Sequence, residues 1–199
     1  MEENPVIVSE EEKEPEAQSE GKKPFNLKKE LWEWAKAIVF AGVIVFLIFH
    51  FLIRVVSVDG SSMVPTLQNG DRLITSNLFY TPSYGDIVIL SDNTGLDEAL
   101  VKRVIAVAGQ TVDINENGEV LVDGKVLSEP YIAETISDSR RGDWDYPVTV
   151  PDGHLFVMGD NRNHSTDSRF KEVGFIDEKE VLGRVIFRLL PVNKIGPVR

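Results

Sequence analysis

The sequence predicts a mostly β protein, built of connected antiparallel sheets that follow one N-terminal apolar helix. Three observations predict it. A single long apolar run, residues 37–53 (AIVFAGVIVFLIFHFLI), stands near the N-terminus. Beyond residue 56 short β-type runs recur, and Gly, Pro, Asn and Asp separate them. No sustained helical periodicity or internal repeat interrupts that pattern between residues 57 and 199.

The first stretch, to about residue 24, is rich in Glu with scattered Pro and Ser, and its large apolar residues are Val6, Ile7 and Val8. Too little apolar surface is on offer to offset the ordering entropy, so residues 1–34 are expected to form a disordered acidic tail. Residues 35–56 are expected to form a transmembrane anchor, since about 20 apolar residues cross a bilayer. His50 is the one interruption of the run. A buried core helix would keep a polar stripe. A cleaved leader would have a shorter apolar region and a small-x-small site after it. Lys22, Lys23, Lys28, Lys29 and Lys36 flank the run on its N-terminal side, against Arg54 alone before Arg72. The positive-inside rule then keeps the tail in the cytoplasm and puts residues 57–199 outside, a single-pass plasma-membrane arrangement. Trp32 and Trp34 fall where an interfacial aromatic belt would lie, although helix packing accounts for them equally.

The β-type runs are VVSV (55–58), DIVIL (86–90), LVKRVIAV (100–107), TVDI (111–114), EVLVDG (119–124), HLFVMG (154–159) and VLGRVIFRL (181–189). Asp123-Gly124 within EVLVDGKVL signals a hairpin. Composition narrows the function classes. A net charge of −11 argues against nucleic acid as the main partner. With no cysteine, disulfides, thiolate catalysis and Cys-ligated zinc are excluded. His50, His154 and His164 form no pair at metal-ligand spacing, so neither a metal nor a cofactor is expected.

Four stretches carry candidate chemistry. In VDGSSMVPTL (58–67) the chain must turn sharply, which can expose a hydroxyl, although Gly-Ser-Ser is also ordinary loop composition. GDIVIL (85–90) alone is a strand after a turn. In LVKRVIAVAG (100–109), Lys102 and Arg103 sit inside an apolar strand whose alternation directs one of the two toward the more buried side. A snorkelling edge lysine explains this, and so does a lysine whose pKa falls on burial. MGDNRNHSTDSRF (158–170) reads either as a polar surface loop or as hydrogen-bonding groups around a reactive site.

Together, in this order, GSSMVPT, GDIVI, KRVIAVAG and GDNRNHSTDSR resemble the successive boxes of the type I (leader) signal peptidases, over about residues 56–190. One anchor and a short domain resemble the Gram-positive form. The resemblance implies a LexA-like Ser–Lys catalytic fold, an extracytoplasmic serine peptidase domain over residues 57–199, and signal peptides of exported preproteins as partners beside the lipid bilayer. Ser62 would be the nucleophile and Lys102 its general base. Ser165 would orient the lysine, with Asp167 and Arg169 as a supporting ion pair. Leu100, Val104 and Met63 would help keep the lysine dry. The Ser62 N–H would serve the oxyanion, while Gly60 stands where some relatives carry a second serine, so an N–H near Gly60 or a water would replace that donor. Val56, Val58, Leu67 and Val101 would line shallow apolar substrate pockets.

Rival readings are weaker. A Ser-His-Asp site would use His164 near Asp160 and Asp167. Pro65 stands where a β-lactamase-type site needs a lysine. Self-cleaving LexA-like repressors need a DNA-binding domain where this chain has a tail and an anchor. A tethered, inactive binding module would be expected to lack Ser62 or Lys102. Trp144, in the loop 140–146, is open to two readings, lipid contact or core packing.

Overall fold

A computed structural model describes residues 27–94, 96 and 98–198, without the side chains of 48–53. The acidic tail up to residue 26 lies outside the described residues. Helix α1 runs Leu27–Leu52. Its N-terminal turns, expected to belong to a disordered tail, are helical instead, because LKKELWEW consists of adequate helix formers leading straight into the apolar run. Its described side chains, 27–47, are all exposed. Among the described residues no helix is long and apolar enough to cross a membrane.

The helix stops short of the boundary expected at residue 56. Strand β1 (Ile53–Ser57) takes over, and its β-branched Val55 and Val56 lie opposite Ile74 and Leu73 of β2 (Arg72–Ser76). The remaining strands are β3 (Ile87–Leu90), β4 (Leu100–Val107), β5 (Thr111–Ile114), β6 (Val120–Val122), β7 (Lys125–Val126), β8 (Val148–Thr149), β9 (His154–Met158), β10 (Ile176–Asp177), β11 (Val181–Leu190) and β12 (Gly196–Pro197). They form two antiparallel sheets. The larger has the order β1-β2-β11-β3-β4-β9-β10, with β12 added to β11, and the smaller has the order β7-β6-β5-β8. The mostly β antiparallel reading therefore holds. Asp123 and Gly124 close the β6–β7 hairpin with φ of 51° and 74°, as that dipeptide signalled.

The core explains how β4 is placed. Ile105 and Ala106 pack with Val112, Ile114, Val120 and Phe156 between the two sheets. Leu100 and Val104 join Val88, Leu90, Leu155 and Val157. Val101 packs against a third cluster of Val58, Met63, Leu67, Leu73 and Ile89. Each such fully buried aliphatic contributes about 1.5–3 kcal/mol. With apolar side chains against both of its faces, β4 is a rigid support for whatever polar groups it carries.

Candidate active site

Ser62 sits on a loop whose ends are pinned. The Val58 N–H donates to Asp71 O at 2.9 Å and the Gly70 N–H to Val58 O at 2.9 Å. Gly60 has φ of +89°, a left-handed conformation that side chains disfavour, and its N–H donates to Asn69 Oδ1 at 3.1 Å. That donor is committed, so Gly60's own N–H does not serve as the second oxyanion group. The chain then turns through residues 62–66, with Met63 and Leu67 only 1% and 0% exposed beneath it. These two side chains drive the turn onto the core and leave Ser62 half-buried at the surface. The Ser62 N–H makes no hydrogen bond within the described residues.

The polar segment after β9 clamps this turn from the other side. The Asn161 N–H donates to Ser62 O at 2.9 Å and Asn161 Nδ2 to Ser61 O at 3.1 Å. The Thr66 hydroxyl donates to Asp160 Oδ2. Gly159 allows the approach, because a Cβ there would lie 2.4 Å from Ser62 O and 2.3 Å from Ser165 Oγ. The glycine of GDNRNHSTDSR is thus a packing requirement of the serine turn.

The two cations of β4 meet different fates. Alternation sends them to opposite faces, yet both are buried, Lys102 at 2% and Arg103 at 1% exposure. Alternation distinguishes a more buried side from a less buried one, but β4 is covered on both faces, so both cations are buried. Arg103 is fully matched. It holds Asp160 through Nε–Oδ1 at 2.8 Å and Nη2–Oδ2 at 2.7 Å, gives Nη1 to Gly85 O at 2.7 Å, and stacks 3.9 Å over the Tyr131 ring. Lys102 has no carboxylate within ion-pair distance among the described residues. Its recorded bond is from Nζ to Ser62 Oγ, at 3.0 Å. Burial lowers the Lys102 pKa, and the Arg169 charge lowers it further, against the opposing pull of Asp167 and Glu98. A lysine so placed favours the neutral amine, which can accept a hydroxyl proton.

Ser165 is 2% exposed and donates its hydroxyl proton to Asp167 Oδ2 at 2.7 Å. No hydrogen bond joins it to Lys102 among the described residues. The expected ion pair is present: Arg169 Nε meets Asp167 Oδ1 at 2.8 Å and Nη2 meets Oδ2 at 2.9 Å. The Gly159 N–H adds a bond to Oδ2 at 2.9 Å. Burial alone would raise the Asp167 pKa, but the Arg169 guanidinium and these donors outweigh it and hold the carboxyl below its usual range. A third buried pair, Arg162 with Glu129 at 2.6 Å, closes the far side of the same segment. The rival histidine site is not assembled: His164 is exposed, Asp160 is taken by Arg103 and Asp167 by Arg169. Trp144 packs 5.1 Å from Phe175 and donates its indole N–H to Ser168 O at 2.8 Å, which answers its two readings in favour of packing.

A cleft of about 580 Å³ opens onto Ser62 and Lys102. Of the residues expected to line it, Val56 and Val101 do. Val58 and Leu67 do not, being 4% and 0% exposed in the core below. Val56, read as sharing a face with Val58, borders the cleft, whereas Val58, just past the end of β1, turns into the core. The cleft is completed by Ile89, Leu96, Leu100, Glu98, His164 and Thr166, among others. Ile89 belongs to the GDIVI box, which carried the resemblance without a role assigned to this residue. Asp160, the link between Arg103 and Thr66, stood in the GDNRNHSTDSR box and in the rival histidine reading, but nothing in the sequence showed its pairing with Arg103.

The family match and the curated relatives point to one family. The chain matches the family described as signal peptidase, peptidase S26, over residues 31–190. Signal peptidase I of Bacillus licheniformis is 41% identical over 182 residues, covering 87% of this chain and 96% of that one. Signal peptidase I S of Bacillus subtilis (strain 168) is 39% identical over 177 residues, covering 84% and 94%. A signal peptidase I crystal structure from Enterococcus faecalis V583 aligns with 53% of this chain and 97% of that chain, at 30% identity and a TM-score of 0.43.

Proposed function

The chain belongs to the signal peptidase family, peptidase S26, and on that premise we propose that Ser62 and Lys102 form the dyad with which it removes N-terminal signal peptides from exported preproteins. The enzyme class follows from the family, and the residue roles are those that the resemblance implies, which the geometry supports. The observation that carries them is the 3.0 Å contact from Lys102 Nζ to Ser62 Oγ, made by a buried lysine without a carboxylate partner. The neutral amine takes the Oγ proton as Oγ attacks the scissile carbonyl carbon. The free Ser62 N–H stabilises the resulting oxyanion. Lys102 then returns the proton to the leaving amine, and the released mature chain leaves an acyl ester on Ser62. Water, deprotonated by the same lysine, hydrolyses the ester and frees the signal peptide. Asn161, Gly159 and the Asp160–Arg103 pair hold the two reacting groups on separate elements at bonding distance. Ser165, Asp167 and Arg169 support the wall beside them. Substrate lies extended across Val56 and Val101, where small side chains fit the shallow floor.

We further propose that α1 anchors the enzyme, with the N-terminus cytoplasmic and the catalytic domain outside. Its 26 residues span about 39 Å at 1.5 Å per residue, against a hydrocarbon core of about 30 Å. The apolar run continues through 48–53, beyond the described side chains, and the lysines cluster on its N-terminal side. The test of the dyad is cleavage of a model preprotein by the detergent-solubilised chain, beside Ser62→Ala and Lys102→Ala. Cleavage after a small-x-small site, lost in both variants, is the expected outcome. Cleavage surviving in Ser62→Ala would point to another site, and an inert parent to a tethered binding module.

A further inference from the structure

The cleft over Ser62 and Lys102 has two walls of different origin. One is the chain leading into the serine, with Val56 and Asp59, and the other is the chain entering β4, with Glu98 and Val101. Val56 and Val101 supply apolar lining, one from each wall. Asp59 and Glu98 add one exposed carboxylate to each. Asp59 stands three residues before Ser62, and Glu98 four residues before Lys102. Even along a fully extended chain, each is within about 11–14 Å of its catalytic neighbour.

The fold neutralises neither carboxylate. The six ion pairs among the described residues all use other acids. Nor does the lining of the cleft supply a fixed cation. Its basic groups are Lys102, used as a neutral amine, and the imidazole of His164. A cleft lined by one sign of charge focuses its field on whatever enters it. The buried carboxylates around the dyad, Asp160 and Asp167, differ in being closed off by arginines.

We infer that Asp59 and Glu98 are specificity-determining residues, which favour preproteins with cationic side chains at −2 and −4 from the cleavage point and reject acidic ones. This deepens the peptidase reading and rests on it. An extended chain sends successive side chains to opposite sides. With small residues at −1 and −3 on the floor across Val56 and Val101, those at −2 and −4 turn away from it, toward the exposed rims. A lysine there gains a carboxylate partner, whereas a glutamate meets like charge from both walls. Charge pairs at an exposed rim are modest in strength. The selectivity expected is therefore about 10-fold in kcat/KM, not all or none.

The test uses one preprotein in three forms, with Ala at −1 and −3 and with Lys, Gln or Glu at both −2 and −4. The full-length chain, in neutral detergent and low salt, cleaves each at about pH 8, above the ordinary histidine range. The parent should favour Lys over Glu by about 10-fold, with Gln between them. Asp59→Asn/Glu98→Gln should bring that ratio to within about 2-fold, and each single variant should remove part of it. The ratio cancels any change that these variants make to the Lys102 amine, because all three substrates meet the same base. Glu116→Gln/Asp152→Asn removes two exposed carboxylates outside the cleft and should leave the ratio as in the parent. That control separates the rims from the field of the whole chain, whose net charge is −11. Equal rates by the parent on all three forms overturn the inference and leave the peptidase reading intact. So does a ratio that survives the rim variant, or one that falls equally in the control. Failure to cleave any form overturns the peptidase reading, and this inference with it.

Discussion

Lys102 and Arg103 are neighbours on one strand, both buried, and opposite in what surrounds them. Arg103 meets Asp160 with two hydrogen bonds, a backbone carbonyl and an aromatic face, so its charge is matched. Lys102 meets a serine hydroxyl and apolar neighbours, so its charge is not. The difference follows from chemistry as much as from position. A guanidinium cannot be deprotonated in a protein and must be paired when buried, whereas an amine can shed its proton instead. One strand thus holds a cation paired with a carboxylate on one face and, on the other, a buried amine with no carboxylate partner among the described residues.

The largest effect expected of breaking this contrast is from Lys102→Met. Without its base the dyad loses activity by at least about 10³-fold, read as kcat/KM on a model preprotein. Stability should move the other way. A lysine whose folded pKa is depressed must release its proton on folding at any pH between the folded and unfolded values. That cost is largest at the lower pH, and stability rises as pH increases toward 10.5. The substitution removes the cost, so Tm should rise at neutral pH, by about 2–4 °C for each kcal/mol regained. A fall in Tm would show that Lys102 is paired as charge.

Arg103→Met should give the mirror image. It leaves Asp160 buried without its partner, a loss of about 3–5 kcal/mol, read by denaturant unfolding. Whatever fraction remains folded should still cleave, since the lysine is untouched. Gly159→Ala comes next. A Cβ within 2.4 Å of Ser62 O must push the serine turn away, at about 1–3 kcal/mol, with kcat falling more than KM rises. The smallest effect belongs to Glu98→Gln. Its exposed carboxylate favours the protonated amine, so the acid limb of the rate profile should move to lower pH, and added salt should shrink the difference.

Much of this was legible in the sequence, and the gaps have physical reasons. The strands rich in β-branched residues, the Asp123–Gly124 turn and the polar segment 158–170 all carry local signals. Ser62 and Lys102 do not meet by any local rule, being joined across the fold at a separation that alternation cannot convey; the resemblance of the boxes supplied the pairing. Alternation placed Lys102 and Arg103 on opposite faces but could not say that both faces were covered, because that depends on the smaller sheet and on the Ser62 turn. Val58 and Leu67 failed as cleft residues for the same reason. β2 (RLITS) did not stand out, as its Ser and Thr dilute the apolar signal while Leu73 and Thr75 are buried. The end of α1 was misplaced because Val55 and Val56 are apolar in either a helix or a strand, and only their pairing with β2 decides.

The central claim is that Lys102 works as a neutral amine. The most direct test is kcat/KM for cleavage of a model preprotein as a function of pH, measured on the full-length chain across the range in which it stays folded. Activity should rise with a single deprotonation and level off well below 10.5, the ordinary lysine value. A rate that climbs without a plateau until that value would contradict the account.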